Sequence, residues 1–131
     1  MTATYHAVLT RDNIPDTDSS PHDYLPRDYQ GERDEHGNPY PADEVAKWEA
    51  ADANVIATWE RDDWHYWGVC LTATVSTVLD SKTFTTQEGN SLWGVDDIDP
   101  TYPDTVAAEL KEELISQLMS DYPGISIEDK T

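Results

Sequence analysis

Residues 64–79 have the sequence WHYWGVCLTATVSTVL, which is the most regular stretch of the chain and decides its fold. Apolar and small or polar side chains alternate along it, as they do in a strand with one buried face. The predicted buried face consists of Trp67, Val69, Leu71, Ala73 and Val75. The other face consists of Tyr66, Gly68, Cys70, Thr72, Thr74 and Ser76. The pattern indicates a half-buried strand of an antiparallel sheet.

The residues after this strand predict a hairpin. Asp80 and Ser81 favour a turn, because short polar side chains tolerate turn conformations. Residues 82–95 favour one or two returning strands, with an interruption at residues 88–90, which are Glu-Gly-Asn. The apolar residues expected to pack inward are Phe84, Leu92, Trp93 and Val95.

Residues 104–121 predict the clearest helix of the chain. Thr101 and Asp104 are spaced as in a capping box, and Pro103 suits a first helical turn. Tyr-Pro-Gly at 122–124 ends the helix, and residues 125–127 favour a small edge strand. The expected apolar stripe consists of Val106, Leu110, Leu114 and Leu118, widened by Ala107, Ile115 and Met119.

A second helical period covers residues 42–61. Asp52 favours either the cap of a separate helix or a kink, and a strand at 54–60 is the competing interpretation. Near the beginning of the chain, residues 3–10 favour a short strand. Residues 11–40 show no periodicity and predict a long irregular acidic loop or arm. This segment is either mobile or held in place by Tyr24, Leu25, Tyr29 and Tyr40.

These elements predict an α+β fold within a single domain, residues 1–131. A small antiparallel β-sheet is expected to pack on the C-terminal helix (104–121), with a second helical region near 42–61. The beginning of the chain has no basic segment and no long apolar stretch, so we expect neither a signal peptide nor a membrane span. We therefore expect a cytoplasmic protein.

The charge of the chain is its strongest functional signal. It contains 27 Asp and Glu against 8 Lys and Arg, a formal net charge of -19, with a pI near 4.1. This charge exceeds what a small domain needs for solubility, and its self-repulsion costs stability. Two explanations remain open, namely adaptation to high salt and a polyanionic binding surface. Direct binding to nucleic acid or to an anionic membrane is disfavoured.

Catalytic motifs are not found in the sequence. There is no glycine-rich phosphate loop, no nucleophile elbow and no zinc-binding helix motif. Cys70 is the only cysteine, and acidic neighbours would not favour its thiolate form. The histidines are scattered without ligand spacing, so we expect no metal and no cofactor. A small divalent-metal-dependent enzyme using the Asp96–Asp99 region remains an alternative, although the run lacks the features of a calcium loop.

Two groups of carboxylates suit a polyanionic surface. B-DNA carries one negative charge per roughly 1.7 Å of its axis, and a fold that projects carboxylates at similar density can occupy a basic DNA-binding cleft. The predicted partner is therefore a basic nucleic-acid-binding protein. The candidate partner-binding residues are Asp96, Asp97 and Asp99 in the connector and Glu109, Glu112 and Glu113 on the predicted helix.

Three stretches resemble small acidic proteins encoded by tailed phages of actinobacteria. These are WHYWGVCLTATV from Trp64, SLWGVD from Ser91 and VAAELKEEL from Val106. The resemblance implies a phage setting, in which small acidic inhibitors of the anti-CRISPR and anti-restriction type block a Cas or restriction complex of the host cell. The alternative is an acidic halophilic or phage accessory domain without DNA mimicry. Trp residues on an exposed strand face could also support a homodimer.

Overall fold

The computed structural model describes residues 2–25, 27–29 and 31–131, so Met1, Pro26 and Gln30 lie outside the described residues. Within them, the chain forms an α+β fold of four strands and two α-helices, as predicted. The elements are β1 (Thr4–Pro15), α1 (Ala42–Glu60), β2 (Tyr66–Leu79), β3 (Lys82–Asp96), α2 (Tyr102–Asp121) and β4 (Ser126–Asp129). The chain divides into two compact units. The sheet unit comprises the chain up to Asp16 together with Tyr66–Thr131, and the loop–helix unit comprises Thr17–His65.

The four strands form one mixed sheet in the order β3-β2-β1-β4. The pairs β1–β2 and β2–β3 are antiparallel, as predicted, whereas β4 runs parallel to β1. The predicted antiparallel sheet is confirmed for β1, β2 and β3, and the parallel β4 makes the whole sheet mixed. The strand follows α2 rather than a tight turn, and a helical crossover allows a strand to return in the parallel direction.

The core of the sheet unit lies between the sheet and α2. Val69, Leu71, Ala73 and Val75 of β2 are at most 1% exposed, which confirms the predicted buried face, while Trp67 is only partly buried. Helix α2 contributes Val106, Ala107, Leu114 and Leu118 to the same cluster. The prediction for Met119 is wrong, because this side chain is 62% exposed. One residue advances the helix by about 100°, which turns position 119 away from the core-facing Leu118.

The β2–β3 hairpin has a two-residue turn, as predicted. Asp80 and Ser81 both have positive φ values, 54° and 64°, which is the conformation that matches the twist of a tight hairpin. β3 then continues as one strand, so the predicted interruption at 88–90 is wrong. The irregularity lies instead at Trp93 and Gly94, which together face Gly68 of β2. Gly94 has φ 72°, and glycine adopts this conformation without strain.

Three of the four β3 residues expected to pack inward are exposed. Val95 is buried as predicted, but Phe84 is 58%, Leu92 46% and Trp93 50% exposed. β3 is an edge strand, so its side chains have a neighbouring strand on one side only. Alternation along the strand predicts which residues share a face, but it does not reveal whether the strand is covered.

The loop–helix unit is built on a single uninterrupted α1. A separate helix or break at Asp52 and a strand at 54–60 are both wrong, because α1 extends from Ala42 to Glu60. Asp52 instead accepts hydrogen bonds from the Tyr29 hydroxyl at 2.8 Å and from the Arg27 backbone N–H at 3.2 Å. The Asp52 side chain thus holds the preceding loop against the helix. It can do so from the interior of α1 because the loop supplies the hydrogen-bond donors.

The segment before α1 is irregular but anchored. The Tyr29 and Tyr40 rings both contact Trp48 of α1, with ring centroids 5.5 and 5.0 Å away. Tyr29 is 8% exposed, whereas Tyr24, also predicted to anchor the loop, is 54% exposed. The irregular segment is shorter than the predicted 11–40, because β1 continues to Pro15 by pairing with β2.

Candidate acidic binding surface

The solvent-facing side of α2 carries an acidic ridge formed by Glu109, Glu112 and Glu113. Residues three and four apart lie on the same side of a helix, so these side chains are neighbours. All three are exposed, on the side of α2 opposite the core residues Leu114 and Leu118. They extend over about 6 Å of helical rise. The structure thus brings together this predicted half of the candidate surface.

The acidic ridge forms no ion pair within the part of the chain that the structure describes. Among the described residues, no Lys, Arg or His side chain lies within ion-pair distance of its three carboxylates. Nearby cations pair with other acids: Arg11 contacts Asp104 at 2.9 Å, and Lys111 contacts Asp129 at 2.8 Å. These two cations therefore form no ion pair with the ridge, and salt in solution screens its negative potential.

Polar side chains extend the ridge toward the C-terminal end of α2. Glu112, Glu113 and Asp121 border an open depression together with Ser116, Gln117 and Ser120. Carboxylates only accept hydrogen bonds when ionised, whereas the hydroxyl and amide groups both donate and accept. The surface is therefore equipped to bind Lys and Arg side chains, which are donors only.

The connector carboxylates differ from the ridge because they take part in local hydrogen bonds. Asp97 Oδ2 accepts from the Trp67 indole N–H at 3.0 Å. Asp96 Oδ1 accepts from the Ile98 backbone N–H at 3.3 Å. Both residues are partly buried. These two predicted binding residues thus organise the entry to α2, and their remaining carboxylate oxygens contribute negative charge beside it.

Asp99 has the most extensive local contacts of the connector. Its Oδ1 accepts from both the backbone N–H and the hydroxyl of Thr101, at 2.9 and 2.7 Å. These hydrogen bonds lower the pKa of Asp99 below its ordinary value, since they favour the charged form. The predicted capping box between Thr101 and Asp104 is wrong: the Thr101 hydroxyl donates to Asp99, and Asp104 pairs with Arg11.

The two predicted groups of acids occupy separate places on the sheet unit. The connector precedes α2, whereas Glu109 follows Tyr102, the first residue of the helix, by seven residues, or about 10 Å of helical rise. The ridge is a single continuous helix face, while the connector is a turn with internal hydrogen bonds. The ridge is therefore the part of the predicted surface that offers unengaged carboxylates.

Metal binding and thiol chemistry are the two other kinds of site considered for this chain. Within residues 2–25, 27–29 and 31–131, no group of three or more His, Cys, Asp or Glu side chains is arranged to hold a metal ion. Burial, together with the negative charge of Asp12, raises the pKa of the Cys70 thiol. The thiol therefore stays protonated at neutral pH, which is unfavourable for a nucleophile.

An aromatic and charged cluster in the loop–helix unit was predicted only through Tyr29, and its partners were not recognised in the sequence. The Arg27 guanidinium lies 5.2 Å from the centroid of the Tyr29 ring and pairs with Glu32. The hydrogen bond to Asp52 is the main cause that raises the pKa of the Tyr29 hydroxyl. Trp48 and Asp52 are four residues apart on α1, so their shared helix face was the available signal. The contacts of this cluster hold the loop against α1.

Comparison of the chain with protein family models, with curated proteins and with solved structures found no significant match. Neither helix, within the described part of the chain, has the combination of length and apolar character needed to span a bilayer. The fold and the surface define the class of molecule: an α+β protein whose mixed sheet is covered on one face by a helix with an exposed acidic outer side.

Proposed function

We propose that this protein is a non-enzymatic inhibitor that acts as an acidic DNA mimic and blocks the basic nucleic-acid-binding surface of a partner protein. The observation that carries the proposal is the acidic ridge of Glu109, Glu112 and Glu113, which is exposed and has no cation within ion-pair distance among the described residues. A chain with a net charge of -19 that leaves its helix acids unpaired retains a repulsive arrangement. Such repulsion is relieved when a basic partner binds.

The spacing of the ridge supports this proposal. Three carboxylates within about 6 Å of helical rise have a linear charge density similar to that of duplex DNA, which carries one charge per roughly 1.7 Å. A rigid helix presents them with little ordering cost on binding, because α2 is held against the core by Leu114 and Leu118. Lys and Arg side chains that normally contact phosphates would contact these carboxylates instead.

The connector has a secondary role in the proposed surface. Asp96, Asp97 and Asp99 add negative charge near the beginning of α2, but their hydrogen bonds to Ile98, Trp67 and Thr101 leave fewer free acceptor sites. We therefore assign the main contacts to the ridge and long-range attraction to the connector.

The phage resemblance supplies the proposed setting. In an infected actinobacterial cell the partner would be a Cas or restriction complex, or another basic nucleic-acid-binding host protein, and the inhibitor would act in the host cytoplasm. The competing explanation is an acidic halophilic or phage accessory domain, in which the ridge only keeps the protein hydrated. The two explanations predict different responses to charge reversal at defined positions.

The experiment compares three immobilised proteins in a pull-down from actinobacterial lysate at low salt, with and without excess duplex DNA. The proteins are the wild type, the ridge variant Glu109→Lys/Glu112→Lys/Glu113→Lys, and the matched control Asp43→Lys/Glu44→Lys/Glu49→Lys. The control makes the same change in net charge on exposed acids of α1. Thermal melts of all three proteins show whether each variant remains folded.

The expected result is that wild type and control capture the same nucleic-acid-binding protein, that DNA displaces it, and that the ridge variant loses it. Rising salt should weaken the capture steeply, as for a ligand that replaces phosphate contacts. Equal loss in the ridge and control variants would mean that only net charge matters. Capture indifferent to DNA, or no capture, would favour the accessory or halophilic explanation.

A further inference from the structure

The free edge of β3 differs from the other edge of the sheet. Within the described residues β3 pairs with β2 alone, and residues 82–87 are all exposed. The opposite edge, β4, has only four residues and includes Glu128 and Asp129. Natural proteins protect sheet edges with short strands, charges, proline or bulges. Between Lys82 and the bulge at 93–94, β3 has one charged residue and no proline, so this edge is poorly protected.

The same edge is the least charged part of a highly charged chain. Residues 66–95 contain only three charged side chains, those of Asp80, Lys82 and Glu88. Two copies of a protein with a net charge of -19 repel each other. The repulsive energy is smallest when they associate through a surface that carries few charges. Lys82 also has no carboxylate within ion-pair distance among the described residues, although the chain contains 27 acids. Its ammonium group is available to a partner.

Hydrogen-bond geometry restricts how two β3 edges can pair. Directly opposed residues in an antiparallel pair either both direct their backbone groups toward the partner or both direct them away. Since these directions alternate along the strand, the allowed symmetric registers place one residue opposite its own copy. The register centred on Thr85 also places Lys82 opposite Glu88 of the other copy, and it does so twice. It sets Phe84 opposite Thr86, which makes the two Phe84 rings diagonal neighbours.

We propose that a second copy of this chain binds the β3 edge in this antiparallel register, so that two four-stranded sheets become one sheet of eight strands. Glu88 Oε1 accepts from the Tyr122 hydroxyl at 3.0 Å, which leaves the other carboxylate oxygen for Lys82 of the copy. Phe84, 58% exposed in the single chain, becomes covered by its symmetry mate. Directly opposed residues share a face of the joint sheet, so both α2 helices would lie on the same side. The dimer does not depend on the proposed function.

Sedimentation equilibrium of the full chain over a wide concentration range tests this dimer. The wild type should shift from monomer to dimer mass with concentration. Thr85→Asp places two carboxylates directly opposite each other, and Lys82→Glu replaces two attractive pairs with two repulsive ones. Each should raise the dimer Kd about tenfold or more. Thr10→Asp is the matched control, because exposed Thr10 lies on the same sheet face in β1, which has a neighbour on each side. It should leave the Kd unchanged.

Two results would overturn the proposal: a wild-type protein that stays monomeric at every concentration, or a dimer whose Kd neither Thr85→Asp nor Lys82→Glu raises. Melting curves of each variant show whether it remains folded. Lys82 is exposed and adjoins the hairpin turn, so Lys82→Glu should leave the fold intact. The ridge variant is six charges less negative per copy, so it should still dimerise, at least as tightly as the wild type. Salt should strengthen the dimer by screening the net repulsion but weaken partner binding, so either proposal can fail without the other.

Discussion

The indole ring of Trp93 lies against the backbone of Gly68, so closely that a Cβ atom at position 68 would come within 2.4 Å of the ring. Gly68 lies opposite the bulge formed by Trp93 and Gly94. The Asp16 carboxylate accepts a hydrogen bond from the Gly94 N–H at 2.8 Å and stabilises the bulge. Two residues distant in sequence therefore depend on each other: the ring covers the strand only because position 68 has no side chain.

Alanine substitutions at three glycines should destabilise the protein to different extents. At Gly89 a Cβ would lie 2.5 Å from the Leu71 carbonyl oxygen, which belongs to the backbone and cannot move away. At Gly68 the half-exposed Trp93 ring can move, so we expect a loss of about 1–3 kcal/mol, smaller than at Gly89. A Cβ at Gly31 would have no atom within 4 Å, so Gly31→Ala should change stability by less than about 0.5 kcal/mol.

Urea unfolding measures this series. Trp93→Ala combined with Gly68→Ala should cost less than the sum of the single substitutions, because the smaller side chain removes the steric conflict. Additive losses would mean that the contact between ring and backbone does not limit position 68.

Removal of the Tyr29 hydroxyl should loosen the loop–helix unit. Tyr29→Phe deletes the hydrogen bond to Asp52 but keeps the ring against Trp48, so we expect a loss of about 1 kcal/mol. Amide hydrogen exchange should accelerate in residues 17–41 and remain unchanged in β2. Tyr40→Phe is the matched control, since the Tyr40 ring also contacts Trp48 and its hydroxyl has no hydrogen bond among the described residues. Uniform acceleration across the chain would contradict a local anchoring role.

Asp129 should make stability depend on pH in the acidic range. Hydrogen bonds from Lys111 and Thr131 lower its pKa from 3.8 to about 2. A carboxyl group with a lowered pKa in the folded state stabilises the fold above its ordinary pKa, and this contribution is lost as the pH falls from about 4 to about 2. Asp129→Asn should therefore lower the Tm at neutral pH, with a gap to the wild type that closes over this window.

Thermal melts of Asp129→Asn and wild type from neutral pH down to pH 2 test this dependence. Glu128→Gln removes one negative charge from the same strand and controls for net charge. A gap that stays constant over the whole range would show that the carboxylate contributes packing alone.

The acidic ridge should cost stability when salt is low. Glu109 and Glu113 are four residues apart and Glu109 and Glu112 three apart, and such like-charge pairs destabilise a helix by about 0.2–0.5 kcal/mol each. Glu109→Gln should therefore raise the Tm at low ionic strength, and the gain should disappear in high salt. Melting curves across a KCl series measure both effects. A lowered Tm at low salt would show that Glu109 stabilises the helix.

Local patterns predicted the elements in which side-chain period and burial agree. The four-residue spacing of Leu110, Leu114 and Leu118 predicted α2, and the alternation from Val69 to Val75 predicted the buried face of β2. The exposed position of Glu109, Glu112 and Glu113 followed from the same helical period. In each case, neighbours a few residues apart specify the conformation, so no distant contact is needed.

Predictions failed where a residue outside the expected motif binds one of its polar groups. Thr101 and Asp104 have capping-box spacing, but Asp99 accepts from Thr101 and Arg11 pairs with Asp104. Asp52 was expected to cap a second helix or to mark a kink, yet it lies inside α1 and accepts hydrogen bonds from the loop. Spacing alone does not reveal Arg11 or the loop donors, because they come from other segments of the chain, and it does not decide which nearby carboxylate accepts from Thr101.

By itself the sequence determined the α+β class, the positions of α2 and of the β2–β3 hairpin, and the large negative charge. Only the tertiary structure decided that β4 runs parallel to β1, that β3 is an open edge, and that the ridge forms no ion pair among the described residues. The physical reason is the distance along the chain between the residues that interact. Helical period, turn conformation and charge depend on nearby residues, whereas strand order and charge pairing depend on contacts between segments far apart in the chain.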